Sequence, residues 1–372
     1  LLVLAVSIFS LFKGFKKPSL YADATVNNCS GVVIEAETGR VLAGYNQNIQ
    51  LPEASTTKIV TALIVLEKLD PSTIILIPDK AVGAEGSSIY LKKGEKWKII
   101  DLLYGMMLRS GNDAALALAI AVGGSVENFS DMMNMKAASL GLTNTNFVNP
   151  HGLHDDNHYT SAYDLAMLTR EAFKHKLFCE IVSSKSYTYT NQDNIKCMFI
   201  NKNKMLNFFE GANGVKTGFT KKSGRCLVSS AIREDMQLIS VVLNCPDMWN
   251  ESMRLLTNCF CNYDMKEIIK PGMTFGETDV KNSPIETAQL MSNEVKRYPL
   301  TEDEYNSLRY NTEFYTLKAP VKKGQKGGIV GIYLDNRLLF EANLYTIENV
   351  RDKNIKERVK DILDKWKINY EN

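Results

Sequence analysis

The sequence predicts an α/β chain of the α+β kind: an antiparallel sheet flanked by helices, a small all-β C-terminal domain, then an amphipathic helix. Three observations carry this. Strand-like runs open and close the first two-thirds, with a helical stretch between them, which implies one sheet built from both ends. From about Tyr263 the composition shifts to short strands punctuated by turns. The tail from Arg351 to Ile368 places Ile355, Val359, Ile362, Leu363 and Trp366 on one stripe.

Element by element, residues 31–45 read as a hairpin, with Val32, Val33 and Ile34 leading into Glu37-Thr38-Gly39 and Val41 and Leu42 returning. A helix follows over 52–69: Pro52 and Glu53 suit its entry, and Ile59, Leu63 and Leu66 recur at helical spacing. Residues 71–97 are turn-rich. Helical patterns resume at Trp97–Leu108 and Ala114–Val122, divided by the polar turn Arg109-Ser110-Gly111-Asn112-Asp113. The second is apolar on nearly every side and too short to cross a bilayer, which marks a central core helix. Residues 125–141 form an amphipathic helix ending near Gly141, and another runs from about Ser161 to Lys174 after a long loop, 143–160. Gly214–Phe219, Arg225–Arg233 and Gln237–Asn244 are strand runs, and Trp249–Cys261 is the closing helix. Beyond them, Pro271-Gly272 and Asp335-Asn336 are turn signals around strands such as Ile329–Leu334 and Leu338–Ala342.

A length of 372 residues allows two domains, each with its own core, and 45% hydrophobic with 23% charged residues describes an ordinary folded chain. The net charge of +2 and the lack of a basic patch interleaved with aromatics argue against nucleic acid as a partner. Leu1–Phe12 is apolar and uncharged, as in the core of a secretory signal, and Ala22-Asp23-Ala24 has the small residues a signal peptidase reads. Lys13, Lys16 and Lys17 between the two leave an uncleaved anchor as the alternative. Either way the chain is expected to be exported. The seven cysteines are odd in number and scattered, which predicts free thiols. The resulting division is 1–24 signal or anchor, 25–262 main domain, 263–347 β-rich domain and 348–372 amphipathic helix.

Chemistry is suggested first by Ser55-Thr56-Thr57-Lys58. Three residues apart on a helix, Ser55 and Lys58 share a face. A serine needs a base to become a nucleophile, and a lysine is a base only when burial keeps it neutral. Two further stretches join it: Ser110-Gly111-Asn112 between helices, and Lys216-Thr217-Gly218 on a strand ahead of Phe219. Singly each is common; together, in this order and these contexts, they form the motif trio of penicillin-binding proteins and serine β-lactamases.

The chain resembles the D-alanyl-D-alanine carboxypeptidases, low-molecular-weight penicillin-binding proteins, and the likeness covers nearly the whole mature chain. It is carried by Ser110–Ala115, by Asn149-Pro150-His151-Gly152-Leu153-His154-Asp155, and by Gly214–Thr220 running on to Ser223–Leu227. Asn213, where the family more often has an acid, is a departure that touches local loop charge. The resemblance implies a penicillin-binding, β-lactamase-like catalytic domain and no cofactor. It implies that Ser55 attacks the carbonyl between the last two D-alanines of a peptidoglycan stem peptide while Lys58 takes its proton. Ser110 would relay a proton to the leaving nitrogen, and Asn112 would hold Lys58 and the substrate backbone. Lys216 and Thr217 would attract the terminal carboxylate, and Gly218 would admit the substrate as an added strand. The backbone N–H groups of Ser55 and Phe219 would hold the oxyanion. β-Lactams, strained mimics of the dipeptide, would acylate Ser55.

Other readings follow from the same residues. A serine β-lactamase would need a deacylating carboxylate near Ser55, and no acid stands in a matching motif. A non-catalytic wall-binding or penicillin-sensing protein would be expected to lack Ser55, Lys58 or Lys216, and all are present. His151, His154 and His158 with Asp155 and Asp156 resemble a zinc set, but serine chemistry needs no metal and the loop matches the family pattern. The C-terminal stripe suits a membrane surface, with Trp366 at the interface, or packing on its own domain.

Overall fold

The computed structural model describes residues 29–368, so the signal or anchor expected over 1–24 lies outside the described residues. The chain divides into two compact units, one ending at Asn262 and the other starting at Tyr263.

The first unit is built on a five-stranded antiparallel sheet. Its hairpin, β1 (Ser30–Glu35) and β2 (Val41–Tyr45), turns through Gly39, whose φ of +73° suits glycine. The buried Glu35 carboxylate accepts the Glu37 and Thr38 backbone N–H groups and so fixes the turn. A 3-10 turn, Ala54–Thr57, then runs into α1 (Lys58–Lys68). The helix expected over 52–69 is thus two elements, with Ser55 on the tight turn and Lys58 opening the α-helix. The turn is entered through Ala54 at φ +52°, a left-handed conformation that blocks a smooth helical start at Pro52 and Glu53.

Next come the short β3 (Ile74–Leu76) and β4 (Lys96–Lys98), paired with each other, and helices α2 (Ile99–Arg109), α3 (Asn112–Gly123), α4 (Val126–Ser139) and α5 (Ala162–Ala172). The turn expected over Arg109–Asp113 shrinks to Ser110 and Gly111. Arg109 still belongs to α2, and Asn112 already opens α3. Between α5 and β7, where periodicity assigns no element, lie α6 (Lys176–Ser183), the hairpin β5 (Ser186–Thr190) and β6 (Lys196–Ile200), and the short α7 (Met205–Phe208). The hairpin is held by inward aromatics: Tyr187 stacks on Tyr104 at 3.6 Å, and Tyr189 lies 4.4 Å from Phe199.

Strands β7 (Ala212–Thr220), β8 (Gly224–Arg233) and β9 (Met236–Leu243) complete the sheet, in the order β2-β1-β9-β8-β7. Both ends of the unit therefore supply one sheet, and β7 is left as an edge. Helix α8 (Met248–Asn262) follows. The core gathers Ile59, Leu63, Leu102, Ala115, Leu118, Leu165, Val228 and Ile239, all without exposed surface. This places α1 and α3 at the centre, as their apolar sequences require.

The second unit is β-rich. It contains β10 (Asp264–Ile269), β11 (Met273–Lys281), β12 (Thr287–Ser292), β13 (Lys296–Leu300), the one-turn α9 (Glu302–Asn306), β14 (Arg309–Phe314), β15 (Leu317–Lys318), β16 (Lys326–Leu334) and β17 (Arg337–Thr346). Asp335 and Asn336 join β16 to β17 with φ of +48° and +64°, the two-residue turn their types favour. Helix α10 (Ile355–Ile368) follows. No described helix is long and apolar enough to cross a membrane.

Candidate active site

Four segments meet around Ser55: the 3-10 turn with α1, the α2–α3 turn, the loop 148–158 and edge strand β7. Thr56 and Thr57 hold the turn: Thr56 Oγ donates to the Glu53 carbonyl at 2.7 Å, and Thr57 Oγ lies 2.8 Å from the Ala54 carbonyl. The Thr56 bond, at about 1 kcal/mol, offsets part of the cost of the left-handed Ala54.

Lys58 is fully buried. Its Nζ lies 3.0 Å from Ser55 Oγ, 2.7 Å from Asn112 Oδ1 and 2.7 Å from the His151 carbonyl. Burial, then the charges of Lys216 and Lys202, hold its pKa well below the usual lysine value, against a smaller upward pull from Asp113. A neutral amine has two N–H donors and one lone pair. Asn112 Oδ1 and the His151 carbonyl are acceptors only, so they take the two donors, and the lone pair is left for the Ser55 hydroxyl.

The α2–α3 turn places the second pair. Ser110 stands at φ +66°, and its Oγ accepts from Lys216 Nζ at 3.0 Å. Asn112 is fixed by the loop before α2: its backbone N–H donates to the Ser87 carbonyl at 2.7 Å and its side-chain amide to the Glu85 carbonyl. Asp113 holds that loop, accepting from Ser88 Oγ and from the Ile89 and Leu91 N–H groups. Lys216, 2% exposed on β7, also donates to the Thr217 carbonyl at 2.9 Å. Burial and Lys202 bring its pKa to about 7.

Gly218 has a steric role: a Cβ there would lie 2.7 Å from the Glu53 carbonyl and 3.1 Å from the Ser55 nitrogen. Phe219 is exposed at the outer end of β7. All of Ser55, Lys58, Ser110, Asn112, Lys216, Thr217, Gly218 and Phe219 therefore lie on these converging segments, and hydrogen bonds link the first five into two clusters.

The histidine loop is engaged otherwise than a zinc set requires. His158 is buried against Glu53, His151 is buried with its pKa lowered to about 3 by burial and by Lys58, and His154 faces Asp156 at 3.3 Å. Among the described residues no group of three or more His, Cys, Asp or Glu side chains could hold a metal. The described cysteines are free thiols.

Residues 17–247 match the D-alanyl-D-alanine carboxypeptidase family profile, and residues 263–352 match the C-terminal domain of penicillin-binding protein 5. The chain belongs to the D-alanyl-D-alanine carboxypeptidase family. It is a serine peptidase of the penicillin-binding type, and two curated relatives match it over nearly their whole length. It is 32% identical to the D-alanyl-D-alanine carboxypeptidase DacF of Bacillus subtilis, over 98% of this chain and 96% of that one. Identity to the D-alanyl-D-alanine carboxypeptidase DacC of Escherichia coli is 33%, over 98% and 92%. Penicillin-binding protein 5 from Haemophilus influenzae superposes with a TM-score of 0.69 at 29% identity, over 87% of this chain and 97% of that one. This carboxypeptidase fold accounts for both the sheet with its flanking helices and the β-rich second unit.

Sequence reasoning gave Lys202 no role, placed Glu53 only at the helix entry and His158 only in a zinc-like set. Lys202 follows β6, with its Nζ 3.4 Å from Ser87 Oγ, and its charge lowers both catalytic-site lysines. An acid two residues before the nucleophile candidate is the one signal that could have found Glu53.

Proposed function

We propose that this carboxypeptidase removes the terminal D-alanine of peptidoglycan stem peptides through an acyl-enzyme on Ser55. The observation that carries the reading is the buried contact between Lys58 Nζ and Ser55 Oγ, with both amine donors already occupied. Lys58 takes the Ser55 proton as Oγ attacks the D-Ala–D-Ala carbonyl. Gly218 lets β7 approach the Ser55 backbone, and the backbone N–H groups of Ser55 and Phe219 together receive the oxyanion. Ser110, bonded to Lys216, passes a proton to the leaving D-alanine nitrogen. Lys216 and Thr217 attract the terminal carboxylate, and edge strand β7 pairs with the substrate backbone. Water then hydrolyses the ester. Residues 25–262 do this chemistry and 263–347 form a separate module. The expected helix over 348–372 starts only at Ile355, and α10 lies on the membrane surface of an exported protein: Trp366 is 67% exposed, with Ile355, Val359, Ile362 and Leu363 also exposed.

The test is intact-protein mass spectrometry after addition of benzylpenicillin, with peptide mapping. A lasting single adduct on Ser55, absent in Ser55→Ala, is expected. Rapid drug turnover without a lasting adduct would indicate a β-lactamase, and an unmodified protein with intact drug would end the serine mechanism.

A further inference from the structure

One buried carboxylate–imidazole pair, Glu53 and His158, has no part in the catalytic steps. Glu53 has no exposed surface, and His158 is 3% exposed. Glu53 Oε1 lies 2.8 Å from His158 Nε2 and accepts from Thr57 Oγ at 2.8 Å, while Oε2 has no hydrogen-bond partner. The Val148 N–H donates to His158 Nδ1 at 3.0 Å, so that nitrogen carries no proton and the ring proton sits on Nε2, facing Glu53. A buried carboxylate with one bare oxygen is costly in a place where an apolar pair would pack. Its retention calls for a role.

The geometry points to Glu53 and His158 as positioning residues that clamp the 148–158 loop to the nucleophile turn and thereby hold the His151 carbonyl on Lys58. Glu53 directly precedes Ala54 and Ser55, and its own carbonyl accepts from Thr56. His158 closes the loop whose other members meet α1: the Pro150 carbonyl accepts from Thr61 Oγ at 2.6 Å, and the His151 carbonyl from Lys58. Gly152 is pressed on the turn, where a Cβ would lie 1.9 Å from the Ala54 carbonyl. The loop thus touches the turn at both ends, and only the Glu53–His158 contact joins the two through charged and titratable side chains. With the clamp gone, the loop is released, water reaches Lys58, and the burial that keeps it neutral is weakened.

This rests on the Ser55–Lys58 reading, and the test separates the two. The rate of benzylpenicillin acylation is followed by mass spectrometry from pH 4 to 9 on the full chain, with thermal melting in parallel. Acylation of the wild type on Ser55 is the control; its failure would strike the catalytic reading itself. With that control in place, Glu53→Gln and His158→Gln are expected to acylate at least about tenfold more slowly near neutral pH. Their acid limb is expected to move to higher pH, since Lys58 is then more easily protonated. The groups facing Lys58 (Lys216 on β7, Lys202 after β6, Asp113 on α3 and His151 on the loop) are unchanged in these variants, as is Cys226 on β8 beside Glu53. Folded variants with wild-type rates, or slower ones with an unmoved acid limb and only a lower Tm, would overturn the clamp. If neither folds, Thr57→Val, which removes the hydroxyl that lies 2.8 Å from Glu53 Oε1, 2.9 Å from His158 Nε2 and 2.8 Å from the Ala54 carbonyl, is read by the same two criteria.

Discussion

Two lysines share one buried cleft, and their different surroundings divide the work between them. Burial and cationic neighbours hold the Lys58 pKa well below the usual lysine value, while Lys216, near 7, is charged over part of the physiological range. The expected pH profile of kcat/KM is therefore a bell. Activity rises as pH passes the lowered Lys58 value and falls above about 7, as Lys216 loses the charge that binds the substrate carboxylate. Replacing the peptide's terminal carboxylate by an amide should remove the alkaline limb and leave the acid limb. The sign for stability follows from the same shift. Lys216 drops from 10.5 in the unfolded chain to about 7, so its cost is fully present below about 7 and fades as pH rises towards 10.5. Lys216→Met should abolish catalysis yet raise stability near pH 7 by roughly 2–4 kcal/mol, a gain that shrinks at alkaline pH. Melting curves at pH 7 and pH 10 check it.

Among elements, the approach of β7 to the 3-10 turn is a tight constraint. Gly218→Ala places a Cβ 2.7 Å from the Glu53 carbonyl, which cannot retreat because it also accepts from Thr56. The expected result is a folded protein whose acylation by benzylpenicillin is slowed about 10- to 100-fold, since small misplacements at a reacting centre are costly. Stopped-flow or mass-spectrometric acylation rates decide it; a wild-type rate would mean that the turn and β7 need not touch. The α2–α3 turn illustrates a different limit of sequence reading. Its polar residues were legible as a break between helices, but Asn112 belongs to α3, and its side chain is oriented by the Glu85 carbonyl from a loop with no periodic signal.

At the scale of the molecule, a chain ending at Asn262 retains the full sheet and its helical core, so benzylpenicillin should still acylate it within about threefold of the full-length rate. The exposed stripe of α10 leads to a separate expectation. Trp366→Glu should weaken binding to vesicles containing anionic lipid, in a sedimentation assay, while leaving hydrolysis of a soluble peptide unchanged. Equal sedimentation of variant and wild type would remove the membrane role of the helix.

The sequence by itself determined most of the element types outside 176–208, the shared sheet and the three motifs proposed as catalytic. These depend on local patterns: helical spacing at Ile59, Leu63 and Leu66, strand runs around Lys216, and side-chain chemistry at Ser55 and Lys58. Only the tertiary structure decided what surrounds them. Glu53 meets His158 across 105 positions of chain, Lys58 meets the His151 carbonyl across 93, and Lys202 reaches the cleft from a loop without any motif. Burial and partner geometry set the charge of both lysines, and those are properties of the packed interior. No periodicity encodes them, because they arise from segments brought together only when the core closes.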